Sequence, residues 1–223
     1  VFVKTPGLSP VKTRLAAELG RGAAEAFHLA SARAVTAAVQ AAAKTAPFRC
    51  YYAVAEQAAL NHHYWQDLPC LWQGDGGLGE RMAHVYRTLL KKHEFVILVG
   101  ADIPQMTATE LTSVSAWLAH RAPPRFAIAP SADGGFWLFG GNRGVPDKIW
   151  TEVTYSVADT GLRFTDAITP LGQIRAFARL RDVDEPDDLS ALRGTLLDLA
   201  EPTPAQRELL RFLEALPYLC EFQ

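Results

Sequence analysis

The chain has 223 residues, 49% of them hydrophobic, with a net charge of −2 and an isoelectric point near 6.3. This length suits one domain, expected over 1–223, with a core large enough to need no metal or disulfide staple. The near-neutral balance leaves no basic excess to neutralise a run of phosphates, which excludes a general nucleic-acid or membrane-surface binder.

In chain order, the apolar residues 1–3 read as a first strand and 11–19 as a helix. The alanine-rich stretch 23–46 reads as a long helix, 48–54 as a second strand, 57–65 as a short helix and 70–73 as a third strand. A helix over 79–92 follows, because Met82, Val85, Tyr86 and Leu89 recur at helical spacing. Residues 95–100 are continuously apolar, as expected of a central strand buried on both faces. Thr107 and Glu110 form a capping-box pair, opening a helix that buries Leu111, Val114 and Leu118. Two further strands, 125–130 and 135–140, flank "SADG". A last strand at about 174–180 meets "DVDEPDDL", which opens the final helices; those over 190–223 are expected to pack on the domain. Cys50, Cys70 and Cys220 are widely spaced and form no CxxC pair, so they read as reduced thiols. No apolar run reaches the ~18 residues of a bilayer span, and the expectation is a cytoplasmic protein with no membrane segment.

Strands and helices in alternation predict a mostly parallel sheet covered by helices on both faces. In such sheets ligands bind beyond the carboxyl ends of the strands, so the loops after the strands carry the functional signal. The first, "KTPGLSPVKTRL", places Lys4, Lys12 and Arg14 around a helix start. Cations are electrostatically misplaced at that end unless an anion is bound, which points to phosphate. The second, "VGADIPQ", puts Asp102 at the end of the buried strand, where an ionised carboxylate needs a partner.

The third loop, "DVDEPDDL", carries Asp182, Asp184, Glu185, Asp187 and Asp188. Helix capping around Pro186 accounts for Asp187 and Asp188, and less well for Asp182 and Asp184. Were one of these to face Asp102, a divalent cation would remove the repulsion; oxygen-only ligands with phosphates nearby favour Mg²⁺ or Mn²⁺. The fourth, "SADGGFWLFGG", reads equally as a hairpin turn and as a close-approach loop formed by Asp133, Gly134 and Gly135. "QGDGGLGERM" adds Gln73, Glu80 and Arg81 as residues able to reach the same cleft. His62 and His63, adjacent on a predicted helix, are expected to face different ways. They and the scattered His28, His84, His93 and His120 read as surface or core residues.

Together these five segments resemble a bacterial family of small nucleotide-diphospho-sugar transferase-like proteins with the GT-A fold. Members are assigned as glycosyltransferases, and some are associated with arsenosugar biosynthesis. The same fold serves cofactor guanylyltransferases. The resemblance runs from Val1 to about Leu189 and implies a three-layer α/β/α architecture. It implies that Lys4, Lys12 and Arg14, with Gln73 and Arg81, contact the nucleotide's phosphates. It further implies that Asp102 and Asp184 hold Mg²⁺ or Mn²⁺, with Asp182 the rival of Asp184. Asp133, Gly134 and Gly135 would line the sugar or acceptor side, with Lys12, Asp102 and Asp133 as the catalytic set. Gly77 stands where family members often have Asp, and Tyr155 where a tryptophan is expected.

The function so implied is a metal-dependent glycosyltransferase using a nucleotide-diphospho-sugar donor and a small-molecule acceptor, with Asp133 as candidate general base. The alternative is a guanylyltransferase-like nucleotidyltransferase that uses an NTP and a small phosphorylated substrate. A third possibility, a non-catalytic nucleotide-binding module, is disfavoured by the presence of both acidic motifs with the basic loop.

Overall fold

The computed structural model describes residues 1–216. Strands β1 (Phe2–Val3), β2 (Tyr52–Val54) and β3 (Cys70–Trp72) pair in parallel in the order β3-β2-β1. Strands β4 (Val96–Val99), β5 (Arg125–Pro130), β6 (Phe136–Gly141) and β7 (Gln173–Ala176) follow in the order β4-β6-β5-β7. A parallel bridge from Phe2 to Gly100 joins the two groups. The sheet therefore runs 3-2-1-4-6-5-7, and β6 alone is antiparallel to its neighbours. That reversal is the hairpin expected from Asp133-Gly134, closed by the Ser131 N–H donating to Gly135 O at 3.1 Å.

Helices α1 (Thr13–Leu19), α2 (Arg21–Ala42), α3 (Leu78–Leu90), α4 (Ala108–Leu118), α5 (Asp147–Glu152), α6 (Thr160–Ile168), α7 (Pro186–Leu197) and α8 (Pro204–Glu214) complete the described chain. Period-two alternation sends successive strand residues to opposite faces. Ala127, Ala129 and Leu138 face α2 and α4, packing on Val35, Val39, Leu111, Val114 and Leu118. Phe126, Ile128 and Phe139 face α3, α5 and α6, where they meet Tyr86, Trp150 and Phe164. One face is thus built from small residues that let helices lie close, and the other from interlocked aromatics. Gly140 shows the tightness of the first face: a β-carbon there would come within 2.8 Å of Leu118. A third cluster joins α1, α2, α7 and α8 through Leu15, Phe27, Leu189, Leu209 and Leu213. α8 packs along α2; residues 217–223, including Cys220, lie outside the described residues.

The expected elements are present with adjusted limits. The helix placed at 11–19 begins only at Thr13, because Lys12 adopts the left-handed conformation (φ 44°, ψ 49°). The helix placed at 57–65 is two short 3₁₀ turns, Gln57–Ala59 and His63–Trp65. Contrary to expectation, His62 and His63 do not point apart: their rings lie 4.3 Å from each other, since side chains in a tight, irregular turn are not held at the 100° spacing of an α-helix. β7 ends at Ala176, short of the expected 180, and Leu180 rejoins the sheet through an isolated bridge to Ser131. α5 and α6, between β6 and β7, are additional to the sequence-based elements.

Candidate nucleotide and transfer site

A cleft of about 460 Å³ opens at the carboxyl edge of the sheet, and its walls include Lys4, Lys12, Asp102, Asp133, Asp182 and Asp184. Its centre is Lys12. The Lys12 ammonium lies 2.6 Å from Asp102 Oδ1 and 2.9 Å from Asp184 Oδ1, and donates to the Val183 carbonyl at 2.5 Å. The lysine side chain is 4% exposed, whereas the two aspartates are 44% and 48% exposed toward solvent. Burial opposes the ammonium charge, yet the two carboxylates outweigh it and raise the Lys12 pKa. The same contact works on Asp102: burial would raise its pKa, but Lys12 holds it below the ordinary value.

The left-handed backbone of Lys12 costs a non-glycine residue about 1–2 kcal/mol, and three ionic or polar contacts on its side chain hold it there. The loop before it is shaped by Thr5. The Thr5 carbonyl accepts from Leu8 N and Ser9 N, its N–H donates to Glu56 at 3.0 Å, and its hydroxyl accepts from Trp65 Nε1 at 2.9 Å. Lys4 borders the cleft with an exposed ammonium that has no ion-pair partner among the described residues. His28, which belongs to none of the motifs, is 5% exposed and also borders the cleft. Its Nε2 is 2.9 Å from the Lys4 carbonyl; because a carbonyl only accepts, Nε2 carries the proton. Burial lowers the His28 pKa and keeps the ring neutral.

The two acidic loops are fastened to each other. Val183 N donates to the Asp102 carbonyl at 3.2 Å, and Gln105 Nε2 donates to the Arg181 carbonyl at 2.6 Å. Asp188 is a cap: Oδ2 accepts from Asp184 N and Glu185 N at 2.9 and 2.8 Å, and Oδ1 pairs with Arg181 at 2.5 Å. Burial opposes its charge, but those backbone donors and Arg181 lower its pKa overall. Asp182 behaves oppositely. Burial, followed by repulsion from Asp133 and Asp184, pushes its carboxyl up to about 6.

The remaining sequence candidates divide. Asp133 borders the cleft, with Oδ1 accepting from Ser131 Oγ and, at 2.8 Å, from Gly135 N. It is therefore both a turn former and a cleft residue. Gly135 lines the cleft. Gly134 is required for a different reason from the one expected: at φ +91°, a β-carbon there would sit 1.9 Å from the Ala158 carbonyl, so its close approach is to protein backbone. Gln73 borders the cleft, but its NH₂ group donates to Val3 O and Ala53 O at 3.2 and 2.8 Å. It thus offers a ligand only its carbonyl oxygen, an acceptor unsuited to phosphate. Arg14 is 68% exposed and pairs with Glu185 at 3.2 Å. Arg81 donates to the Gly76 carbonyl at 2.9 Å and steadies its own loop. Neither arginine is among the cleft walls, because both follow helix starts whose solvent faces carry them outward. Tyr155, Ser156 and Thr160 complete the opposite wall; Ser156 is held at φ 62°.

No group of three or more His, Cys, Asp or Glu among the described residues is arranged to hold a metal. Asp102 and Asp184 nevertheless bring two carboxylate oxygens within 2.9 Å of one point, now filled by the Lys12 ammonium. Two carboxylates completed by ligand phosphates and water is a donor set that suits Mg²⁺. A larger cleft, about 600 Å³, lies at the amino ends of the strands beside Val1, Phe48, Tyr51 and Phe95, away from these groups.

A 3-2-1-4-6-5-7 sheet between helical layers, with its polar cleft at the carboxyl edge, places the chain in the nucleotide-diphospho-sugar transferase fold class. The fold matches the solved structure of a candidate nucleotide-diphospho-sugar transferase from Desulfovibrio desulfuricans G20, with a TM-score of 0.82 and 23% identity over 96% of this chain and 94% of that one. Residues 35–157 match the family described as uncharacterised protein conserved in bacteria (DUF2064), and the chain belongs to that family. No curated protein matches it. Among the described residues no helix is long and apolar enough to cross a membrane.

Proposed function

We propose that the protein is a glycosyltransferase that takes a nucleotide-diphospho-sugar donor and a small-molecule acceptor in the cytoplasm. The observation that carries the reading is the convergence of Lys12, Asp102 and Asp184 on one point at the floor of the carboxyl-edge cleft. Buried cations of this kind stabilise the charge that develops on a departing diphosphate. Lys12 and Lys4 would bind the diphosphate, and Asp102 and Asp184 would hold Mg²⁺ or Mn²⁺. A divalent cation there would supply positive charge to neutralise the leaving diphosphate. His28 would hold the Lys4 backbone in place. Asp133 would accept the acceptor's proton through Oδ2, since Oδ1 already takes two donors. The one-domain organisation over 1–223 belongs to the same proposal.

The test is product analysis. The protein is incubated with Mg²⁺ and a panel of UDP-, GDP- and ADP-sugars, or with NTPs, and both free nucleoside diphosphate and pyrophosphate are measured. Diphosphate release that is lost in Asp102→Asn supports the reading. Pyrophosphate release from an NTP would replace it with nucleotidyl transfer.

A further inference from the structure

The loop that carries Asp102 is held from outside by its carbonyl groups. Ser31 Oγ of α2 donates to Ala101 O at 2.6 Å, and Val183 N donates to Asp102 O at 3.2 Å. Pro104 O and Met106 O both accept from one group, the amide nitrogen of Gln206, at 2.9 and 3.0 Å. Gln206 lies on α8, about a hundred residues further along, and is 2% exposed. Its Oε1 accepts from Thr203 N and Oγ1 at 2.9 and 3.1 Å, closing the capping box of α8.

Two carbonyls can only accept, so the amide has one orientation, with its nitrogen on the Asp102 loop and its oxygen on the helix cap. Capping alone does not require an amide, because a glutamate at the third helical position serves equally. What requires it is the second end. A carboxylate there would face two buried carbonyls that have lost their donor, a costly arrangement.

We infer that Gln206 is a positioning residue for the Asp102 carboxylate, which makes α8 part of the scaffold of the site although no α8 side chain is among the cleft walls. Through Pro104 and Met106 it sets the height of the loop, and through the loop it sets the distance from Asp102 to Lys12 and Asp184. The inference rests on the reading of Asp102 as half of a cation and phosphate site; the loop geometry it concerns is independent of that reading.

Three variants of the full chain test it. Gln206→Glu keeps the cap and loses the donor, Gln206→Met loses both ends, and Thr203→Ala loses the hydroxyl cap while leaving the loop contacts intact. Two quantities are read: hydrogen exchange of the Val183 amide by NMR without metal, and Mn²⁺ affinity by EPR titration. Gln206→Glu and Gln206→Met are expected to speed Val183 exchange about 10-fold more than that of the α8 amides, and to weaken Mn²⁺ binding about 10-fold, as loss of an outer support does. Thr203→Ala is expected to move neither. Unchanged Val183 exchange in a folded Gln206 variant, or equal changes in Thr203→Ala, would overturn the inference. If the wild-type protein binds no Mn²⁺, the cation reading fails, and Val183 exchange alone decides the positioning role.

Discussion

Replacing Lys12 with methionine keeps the length and apolar stem of the side chain and removes its charge. With carboxylate oxygens at 2.6 and 2.9 Å, each ion pair is worth about 6 kcal/mol at an effective dielectric near 20. Most of that is offset by taking the ammonium out of water, and the half-exposed aspartates regain hydration in the variant. The expected net loss is about 2–3 kcal/mol, near the lower end for breaking a buried pair.

The loss has a defined pH window. Asp102 is depressed below its ordinary 3.8 by Lys12, so its contribution is full above that value and disappears as pH falls through the folded pKa. Lys12 is raised above 10.5, so its contribution is full below that value and disappears as pH rises through the folded pKa. Urea denaturation from pH 3 to 11, with EDTA present, should show a plateau difference between about 4 and 10.5 that collapses on both sides. Adding Mg²⁺ at pH 7.5 should stabilise Lys12→Met more than the wild type, because the carboxylates have lost their internal counter-ion. A difference of the same size at pH 3 and pH 7 would show that the lysine acts by packing and refute the argument. Absence of any Mg²⁺ effect on the variant would refute the carboxylate pair as a cation site.

Asp182→Asn should be stabilising at pH 8 in EDTA, by about 1 kcal/mol after solvent screening. Because the folded pKa is raised to about 6, the wild-type penalty fades as pH falls toward 4; thermal melts that show a pH-independent gain would count against the repulsion account. Gly134→Ala should cost about 2–4 kcal/mol through its left-handed backbone and the clash with Ala158, measured by chemical denaturation; a near-neutral result would mean the hairpin can shift without strain. Trp150→Ala, at a fully buried site against Tyr86, Phe139 and Phe164, should cost about 3–5 kcal/mol. A loss under 1 kcal/mol would show that the aromatic face is not a packed unit.

The central strands were legible because they are buried on both faces and write themselves as short apolar runs, as 96–99 and 125–130 do. The α4 boundary was legible because Thr107 and Glu110 form the capping box with their own backbone, a contact local in sequence. α5 and α6 escaped because they span six and nine residues and have no side-chain cap. In the site, the residues at the strand ends could be named, but not what each would touch. The cations at the α1 start suggested an external anion; the sequence did not show that the fold also pairs Lys12 with Asp102 and Asp184, and Arg14 with Glu185. Those contacts bridge up to 172 positions, and no spacing rule encodes a distance that the whole topology sets. The NH₂ group of Gln73 and the Nε–H of Arg81 were likewise taken by backbone carbonyls that only the register of β1–β2 and the 74–77 turn brings within reach.

The Lys12–Asp184 contact also says when the site can exist. During synthesis Lys12 and the first strand emerge well over a hundred residues before Asp184 and Gln206. Closing so long a loop is entropically slow, and long-range pairings form after local ones. Until then, the Lys12 ammonium has at most one of its two carboxylate partners. The cluster thus closes only after the segment that follows β7 has been added, so truncation before Asp182 should leave much of the sheet and remove Asp184 from its place beside Lys12.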